Sequence, residues 1–160
     1  MKKEISELSA GLVQLAADKN ITVAFAESCT GGLVGASITE IPGASRIFLG
    51  SAVTYSNEAK QNVLGVDSCV IAKYGAVSAD CAEQMAAGAR RIYGSDIALS
   101  VTGIAGPEGG SQDKPVGTVW FGYASGTKNF SFVRRFSGDR NSIRFSAVRE
   151  VLLCIVKELQ

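Results

Sequence analysis

The stretch Ile21-Thr22-Val23-Ala24-Phe25-Ala26-Glu27-Ser28-Cys29-Thr30-Gly31-Gly32 decides the fold. Ile21 to Ala26 is a short, β-rich apolar run, the pattern of a strand covered on both faces. It passes directly into a serine and two glycines, then into a helix-like stretch reaching Glu40, where Pro42 and Gly43 stop it. A serine placed after a buried strand and before a glycine-opened helix points its hydroxyl at the free N–H groups of the helix's first turn.

The same alternation continues outward. Upstream, Ile5, Leu8, Leu12 and Leu15 recur at three-and-four spacing, which predicts an amphipathic helix over residues 4–18. Downstream, Ile47 to Tyr55 reads as a second strand, followed by a helix from about Ser56 to Leu64 with Ser56 as its cap. Ser78 caps a longer helix whose stripe is Ala82, Met85, Ala86, Ala89 and Ile92, with Gly94 as the stop. Ile97 to Val101 is the third buried strand. Val116 to Ala124 and Asn129 to Phe136 flank Gly126 as an antiparallel hairpin. A last helix begins near Asp139 and buries Val148, Val151, Leu152, Ile155 and Leu159.

Helices between the first three strands imply right-handed crossovers and parallel pairing. The expected fold is therefore a three-layer α/β/α domain spanning residues 1–160, with a mixed, mainly parallel sheet and no internal linker. Ligands in such sheets bind at the carboxyl ends of the strands. That rule brings ESCTGG, the segment Tyr55 to Lys60, and Thr102-Gly103-Ile104-Ala105-Gly106-Pro107 to one rim.

Composition narrows the chemistry. The chain has 160 residues, 16 basic and 15 acidic side chains, and no histidine. The near-neutral charge argues against a nucleic-acid binder, and the apolar runs are too short to cross a membrane. Without imidazole there is no Ser-His-Asp triad and no His-ligated metal. Cysteines 29, 69, 81 and 154 show neither a CxxC pair nor zinc spacing; without a secretory leader they read as reduced thiols of a cytoplasmic protein that holds no metal. The 18 glycines cluster at 31–35, 103–110 and 117–126, where the backbone can approach a ligand closely. Two SxxK matches, Ser111 to Lys114 and Ser125 to Lys128, fall in expected loops, whereas the enzymes that use this motif place it on a helix.

Three readings of the first rim motif stand side by side. Ser28 is a nucleophile served by the helix amides, or Ser28 or Thr30 is simply a helix cap, or Cys29 is a thiolate nucleophile beside Glu27 with a lysine elsewhere. Lys60 acts as a base only if its surroundings push its pKa toward neutrality; otherwise it is a solvated helix lysine. Tyr55 is otherwise a core-edge aromatic. Arg140 and Arg144, one helical turn apart, either grip a phosphate or lie on the surface.

Six motifs stand in order: ESCTGG (27–32), YSNEAK (55–60), GAVS (75–78), TGIAGP (102–107), KPVGTVW (114–120) and GDR (138–140). Together they resemble the CinA C-terminal domain family over almost the whole chain, and within it the stand-alone nicotinamide-nucleotide amidohydrolases; no CinA-type N-terminal domain is read in these residues. The resemblance implies hydrolysis of nicotinamide mononucleotide (NMN) to nicotinic acid mononucleotide and ammonia, in pyridine nucleotide salvage, without metal or cofactor. It implies Ser28 as nucleophile, Lys60 as base, and Tyr55 as a neighbour that positions or relays the proton. Substrate contacts carried over are Cys29, Thr30, Gly31, Gly32, Thr102, Gly103 and Arg140, with the glycine loop and the arginine near the ribose phosphate. Thr102 stands where many relatives have serine. A homodimer or higher homo-oligomer is also implied. The family resembles a mixture of deamidases and domains linked by name to competence and DNA damage, so a pyridine-nucleotide-binding or regulatory paralogue without turnover stays open.

Overall fold

The computed structural model describes residues 2–160. Its sheet has five strands: β1 (Val23–Glu27), β2 (Phe48–Val53), β3 (Ile97–Gly103), β4 (Thr118–Ala124) and β5 (Asn129–Arg135), in the order β2-β1-β3-β4-β5. β1 pairs in parallel with both β2 and β3, and β4 pairs antiparallel with β3 and β5. The expected three-layer α/β/α fold with a mixed sheet is the observed one. From β1 the chain moves to β2 on one side and then to β3 on the other, so the carboxyl end of β1 is the switch point of the sheet. Ser28 is the next residue.

Six α-helices cover the sheet: α1 (Lys2–Asp18), α2 (Leu33–Thr39), α3 (Asn57–Leu64), α4 (Ser68–Tyr74), α5 (Ala79–Tyr93) and α6 (Arg140–Leu159). Helices α1, α2 and α6 pack together on one face, and α3 and α4 lean on α5 on the other. The two faces differ in side-chain size. Val23, Phe25, Leu99, Val101 and Phe121 point into the α1/α2/α6 core, while Ala24, Ala26, Ala52 and Ala98 face α5. Strand alternation separates the two sets, and the small set lets α5 approach closely. Gly122 marks the closest point: a Cβ there would collide with the Ala82 carbonyl.

Several details differ from the sequence reading. Helix α4 was not anticipated, although Asp67 caps it by accepting from the Cys69 N–H and Gly75 ends it. Ile92 is exposed, and Tyr93 packs against the alanine-rich core instead. At 3.6 residues per turn, position 93 lies about 20° from the direction of Ala82 and position 92 about 80° away. The glycines of the 103–110 loop are needed for contact with the chain itself. A Cβ at Gly103 would come 2.9 Å from the Thr118 carbonyl oxygen, and one at Gly110 would come 2.8 Å from the Val116 nitrogen. Among the described residues, no helix is long and apolar enough to cross a membrane.

Helix α3 is seated by the same kind of close approach. Gly88 of α5 lies under the Leu64 carbonyl, which also accepts from Arg91 Nη2 at 2.8 Å. A methyl group at position 88 would strike that backbone, with no flexible side chain to give way. Gly88→Ala is therefore expected to cost about 1–3 kcal/mol in denaturant unfolding, despite the higher helix propensity of alanine. An unchanged or raised midpoint would contradict this seating of α3.

Candidate active site

A cavity of about 180 Å³ opens at the carboxyl ends of β1, β2 and β3. Of the residues expected at the rim, Ser28, Cys29, Tyr55, Lys60, Thr102, Gly103 and Arg140 line it. Asn57, Ala76, Val77 and Ala105 line it as well and were not singled out as site residues, although Ala76 and Val77 belong to GAVS and Ala105 to TGIAGP. A larger groove of about 220 Å³ between α1, α2 and α6 is walled by Ile5, Leu33, Phe145 and Val148. Its one serine, Ser37, gives its hydroxyl proton to the Val34 carbonyl.

Lys60 is at the centre. Ser56 starts α3 by accepting from the Ala59 N–H at 3.0 Å, and the helix then presents Lys60 and Leu64, one turn apart, to the interior. The lysine is 1% exposed, so the solvated-lysine reading is wrong. Its amine meets three oxygens: the Thr54 carbonyl at 2.9 Å, the Tyr55 carbonyl at 3.1 Å and Ser28 Oγ at 3.0 Å. No carboxylate pairs with it among the described residues. Burial pushes its pKa below the ordinary 10.5, against a smaller upward pull from the Cys81 and Cys29 thiols. As an ammonium it donates to all three oxygens; once deprotonated, its two N–H groups serve the two carbonyls and its lone pair faces the Ser28 hydroxyl.

Glu27 accounts for the rest of the β1 turn. Its side chain is completely buried, and its Oε2 accepts from Thr30 Oγ1 at 2.7 Å, Gly32 N–H at 2.9 Å and Val34 N–H at 3.0 Å. Oε1 accepts from Gly35 N–H at 2.9 Å and Ser51 Oγ at 2.7 Å. Five donors and no acceptor suit a carboxylate, which only accepts. The helix-cap reading of Ser28 and Thr30 is thereby corrected. Residue Gly32 occupies the N-cap position with φ 96°, no side chain of its own caps α2, and Glu27 does so from five residues upstream. The amides of Gly32, Val34 and Gly35 consequently hold Glu27, that of Leu33 returns to the Thr30 carbonyl, and none of them is free for a substrate anion.

This also relocates three expected substrate contacts. Thr30 is buried with its hydroxyl on Glu27, the Gly31 N–H returns to the Ser28 carbonyl at 3.0 Å, and the Gly32 N–H is held by Glu27. None of the three lines the cavity. The amides of Cys29 and Thr30 have no oxygen partner among the described residues. Of the two, Cys29 lines the cavity beside Ser28 and Thr30 does not.

The thiol alternative loses its support. Burial pushes the Cys29 thiol up to about 11, Glu27 is fully engaged in capping, and the lysine meets Ser28. Tyr55 departs from the core-edge reading. It is 62% exposed rather than at a core edge, and it meets Lys60 through its carbonyl while its hydroxyl accepts from Arg140 Nη2 at 3.2 Å. Arg140 also donates to the Gly106 carbonyl at 2.8 Å, tying the TGIAGP loop to the cavity mouth. Thr102 gives its proton to the Ala76 carbonyl at 3.0 Å, so toward the cavity it offers only lone pairs. Arg144 turns away from the mouth and holds the Cys29 and Thr30 carbonyls, which leaves no Arg140–Arg144 phosphate grip.

The sequence profile of the CinA C-terminal domain matches residues 5–159. A CinA-like protein of Geobacter sulfurreducens is 50% identical over 137 residues, which is 86% of this chain and 33% of that protein. The chain thus spans about a third of the length of the curated relatives it matches. Among solved structures, the competence/damage inducible protein CihA of Agrobacterium tumefaciens superposes with a TM-score of 0.96 at 38% identity, covering 98% of this chain and 96% of that one. A competence-damaged protein (CinA) superfamily protein of Klebsiella pneumoniae gives 0.94 at 34% identity, covering 97% of both chains.

The lowered Lys60 pKa makes a prediction about stability. Between that value and 10.5 the unfolded chain holds a proton on Lys60 that the folded chain lacks, so folding is favoured increasingly as pH rises. Relative to Lys60→Met, the wild type should gain stability with pH across that window and lose the gain as pH falls to the folded value. Parallel unfolding curves with no pH-dependent difference would contradict the burial of an uncompensated amine.

Proposed function

Because the chain belongs to the CinA C-terminal domain family and holds a serine and a buried lysine in one cavity, we propose that it is a nicotinamide-nucleotide amidase. It would convert NMN and water to nicotinic acid mononucleotide and ammonia. The observation that carries this reading is the Lys60 amine at 3.0 Å from Ser28 Oγ, with two backbone carbonyls occupying its other contacts.

In this reading Ser28 Oγ attacks the carboxamide carbon while its proton passes to Lys60. The oxyanion of the tetrahedral intermediate is met by the Cys29 amide, next to Ser28 in the cavity lining. Lys60 returns the proton to the departing nitrogen, ammonia leaves, and an ester to Ser28 remains. Water then attacks that ester with Lys60 again accepting the proton, which releases the acid and restores Ser28. Thr102, offering lone pairs alone, suits the carboxamide N–H rather than an anion. Arg140 spends two of its five N–H groups on Gly106 and Tyr55 and keeps the others for the ribose phosphate at the mouth. The four unpaired cysteines fit a reducing cytoplasm, where pyridine nucleotide salvage would run.

Purified protein is expected to release ammonia from NMN with no added metal. Ser28→Ala should abolish release, and Cys29→Ala should retain most of it. Lys60→Arg should lower kcat by about 10²–10⁴-fold, because a guanidinium stays protonated. The rate should rise with pH through the depressed Lys60 pKa. Saturable NMN binding with no ammonia at high protein concentration would replace the amidase by a pyridine-nucleotide-binding module, and an inactive Cys29→Ala beside an active Ser28→Ala would restore the thiol mechanism.

A further inference from the structure

Arg144 is the one cation near the cavity whose contacts are spent on the backbone of the nucleophile turn. It lies one helical turn after Arg140 on α6, yet it does not line the cavity. Its Nε donates to the Cys29 carbonyl at 3.1 Å and its Nη2 to the Thr30 carbonyl at 2.8 Å. The guanidinium also covers Gly31, where a Cβ would sit 3.5 Å from Nη2.

Two successive carbonyls held by one rigid fork fix two successive peptide planes. In a trans peptide the N–H points opposite the C=O, so gripping the Cys29 carbonyl turns the Thr30 N–H to the far side of the chain from Arg144. Gripping the Thr30 carbonyl orients the Gly31 N–H, which closes the turn onto the Ser28 carbonyl at 3.0 Å. That bond in turn fixes the Ser28–Cys29 peptide and the direction of the Cys29 N–H. A charged donor on a carbonyl also polarises its peptide, making the attached N–H a stronger donor.

We propose that Arg144 is a positioning residue that locks and polarises the Ser28–Gly31 turn, so that Ser28 Oγ stays against Lys60 and the Cys29 amide is set for an oxyanion. This rests on the amidase reading for its kinetic consequence, and on the turn geometry alone for its structural one. It assigns the two arginines different work: Arg140 meets the substrate at the mouth, and Arg144 acts through the backbone.

The test compares Arg144→Gln, Arg144→Lys and Arg140→Gln in ammonia release from NMN. Amide hydrogen exchange is measured by NMR on the same proteins. Arg144→Gln should lower kcat by about 10²-fold with KM nearly unchanged, as expected when a reacting group or oxyanion donor is misplaced. Arg144→Lys should recover part of the loss, since one ammonium reaches one of the two carbonyls. Methylguanidinium added to Arg144→Gly should restore a fraction of kcat. Arg140→Gln should raise KM instead. In Arg144→Gln the Gly31 N–H should exchange at least about tenfold faster while amides of β1 and α5 keep their protection, which separates a loosened turn from a loosened fold. A raised KM with kcat preserved would overturn the proposal in favour of an anion contact. Unchanged Gly31 exchange would overturn it whatever the substrate. If the wild type releases no ammonia, the amidase reading falls and the exchange result still decides the role of Arg144.

Discussion

The structure turns on one buried amine without a counter-ion. Lys60 is enclosed at the junction of α3 with the end of β2, and only three oxygens meet it. Taking a lone ammonium out of water is costly, and the cost is relieved when the group sheds its proton. Several features that look unrelated in the sequence converge on holding it there. Gly88 allows α3 to sit directly on α5, Arg91 caps the Leu64 carbonyl at the end of α3, and the Thr54 and Tyr55 carbonyls remain unpaired by the sheet because β2 ends at Val53. The crossovers of the parallel strands then bring Ser28, from the end of β1, to the amine's remaining contact.

Charge around the site is arranged so that the negative group is spent before a ligand arrives. Glu27 is as deeply buried as Lys60 and only one residue from Ser28, yet it reaches toward α2 and Ser51 and away from the amine. A carboxylate on Lys60 would raise the lysine's pKa and remove it as a base; on the first turn of α2 it satisfies orphan amides and the helix dipole. Arg144 holds the turn from the opposite side. The nucleophile turn is thus clamped between an anion that takes its N–H groups and a cation that takes its carbonyls, and the cavity itself is left with Lys60 and Arg140.

The strands and most helices were legible because each carries its own local signal: apolar runs for β1 and β3, a serine cap at α3 and α5, a glycine stop at Gly94. The convergence of three distant motifs on one rim followed from topology, since parallel strands share their carboxyl ends. What escaped was set by long-range contacts. Nothing local marks Lys60 as buried beyond its i, i+4 relation to Leu64, because its burial depends on Gly88 from another helix. Glu27 closes an apolar run, a signal that a carboxylate must find donors, but which donors depends on how α2 folds back. The glycines of the 103–110 loop announced close approach, but nothing local told that the 116–119 segment would be one of its objects, beside the cavity that Gly103 lines. Arg140 and Arg144 share spacing and chemistry, and only the tertiary path of residues 28–31 separates their roles.

The central claim is that burial holds the Lys60 amine below its ordinary pKa against Ser28, and the most direct measurement is its own titration. With lysine labelled at Cε, the resonance that disappears in Lys60→Arg can be followed by NMR from neutral to strongly alkaline pH. The account predicts a midpoint clearly below the ordinary value of 10.5, with the Ser28 resonances shifting in step. A midpoint at or above 10.5 would mean that the amine remains an ammonium throughout the working range, and would contradict the assignment of Lys60 as the base.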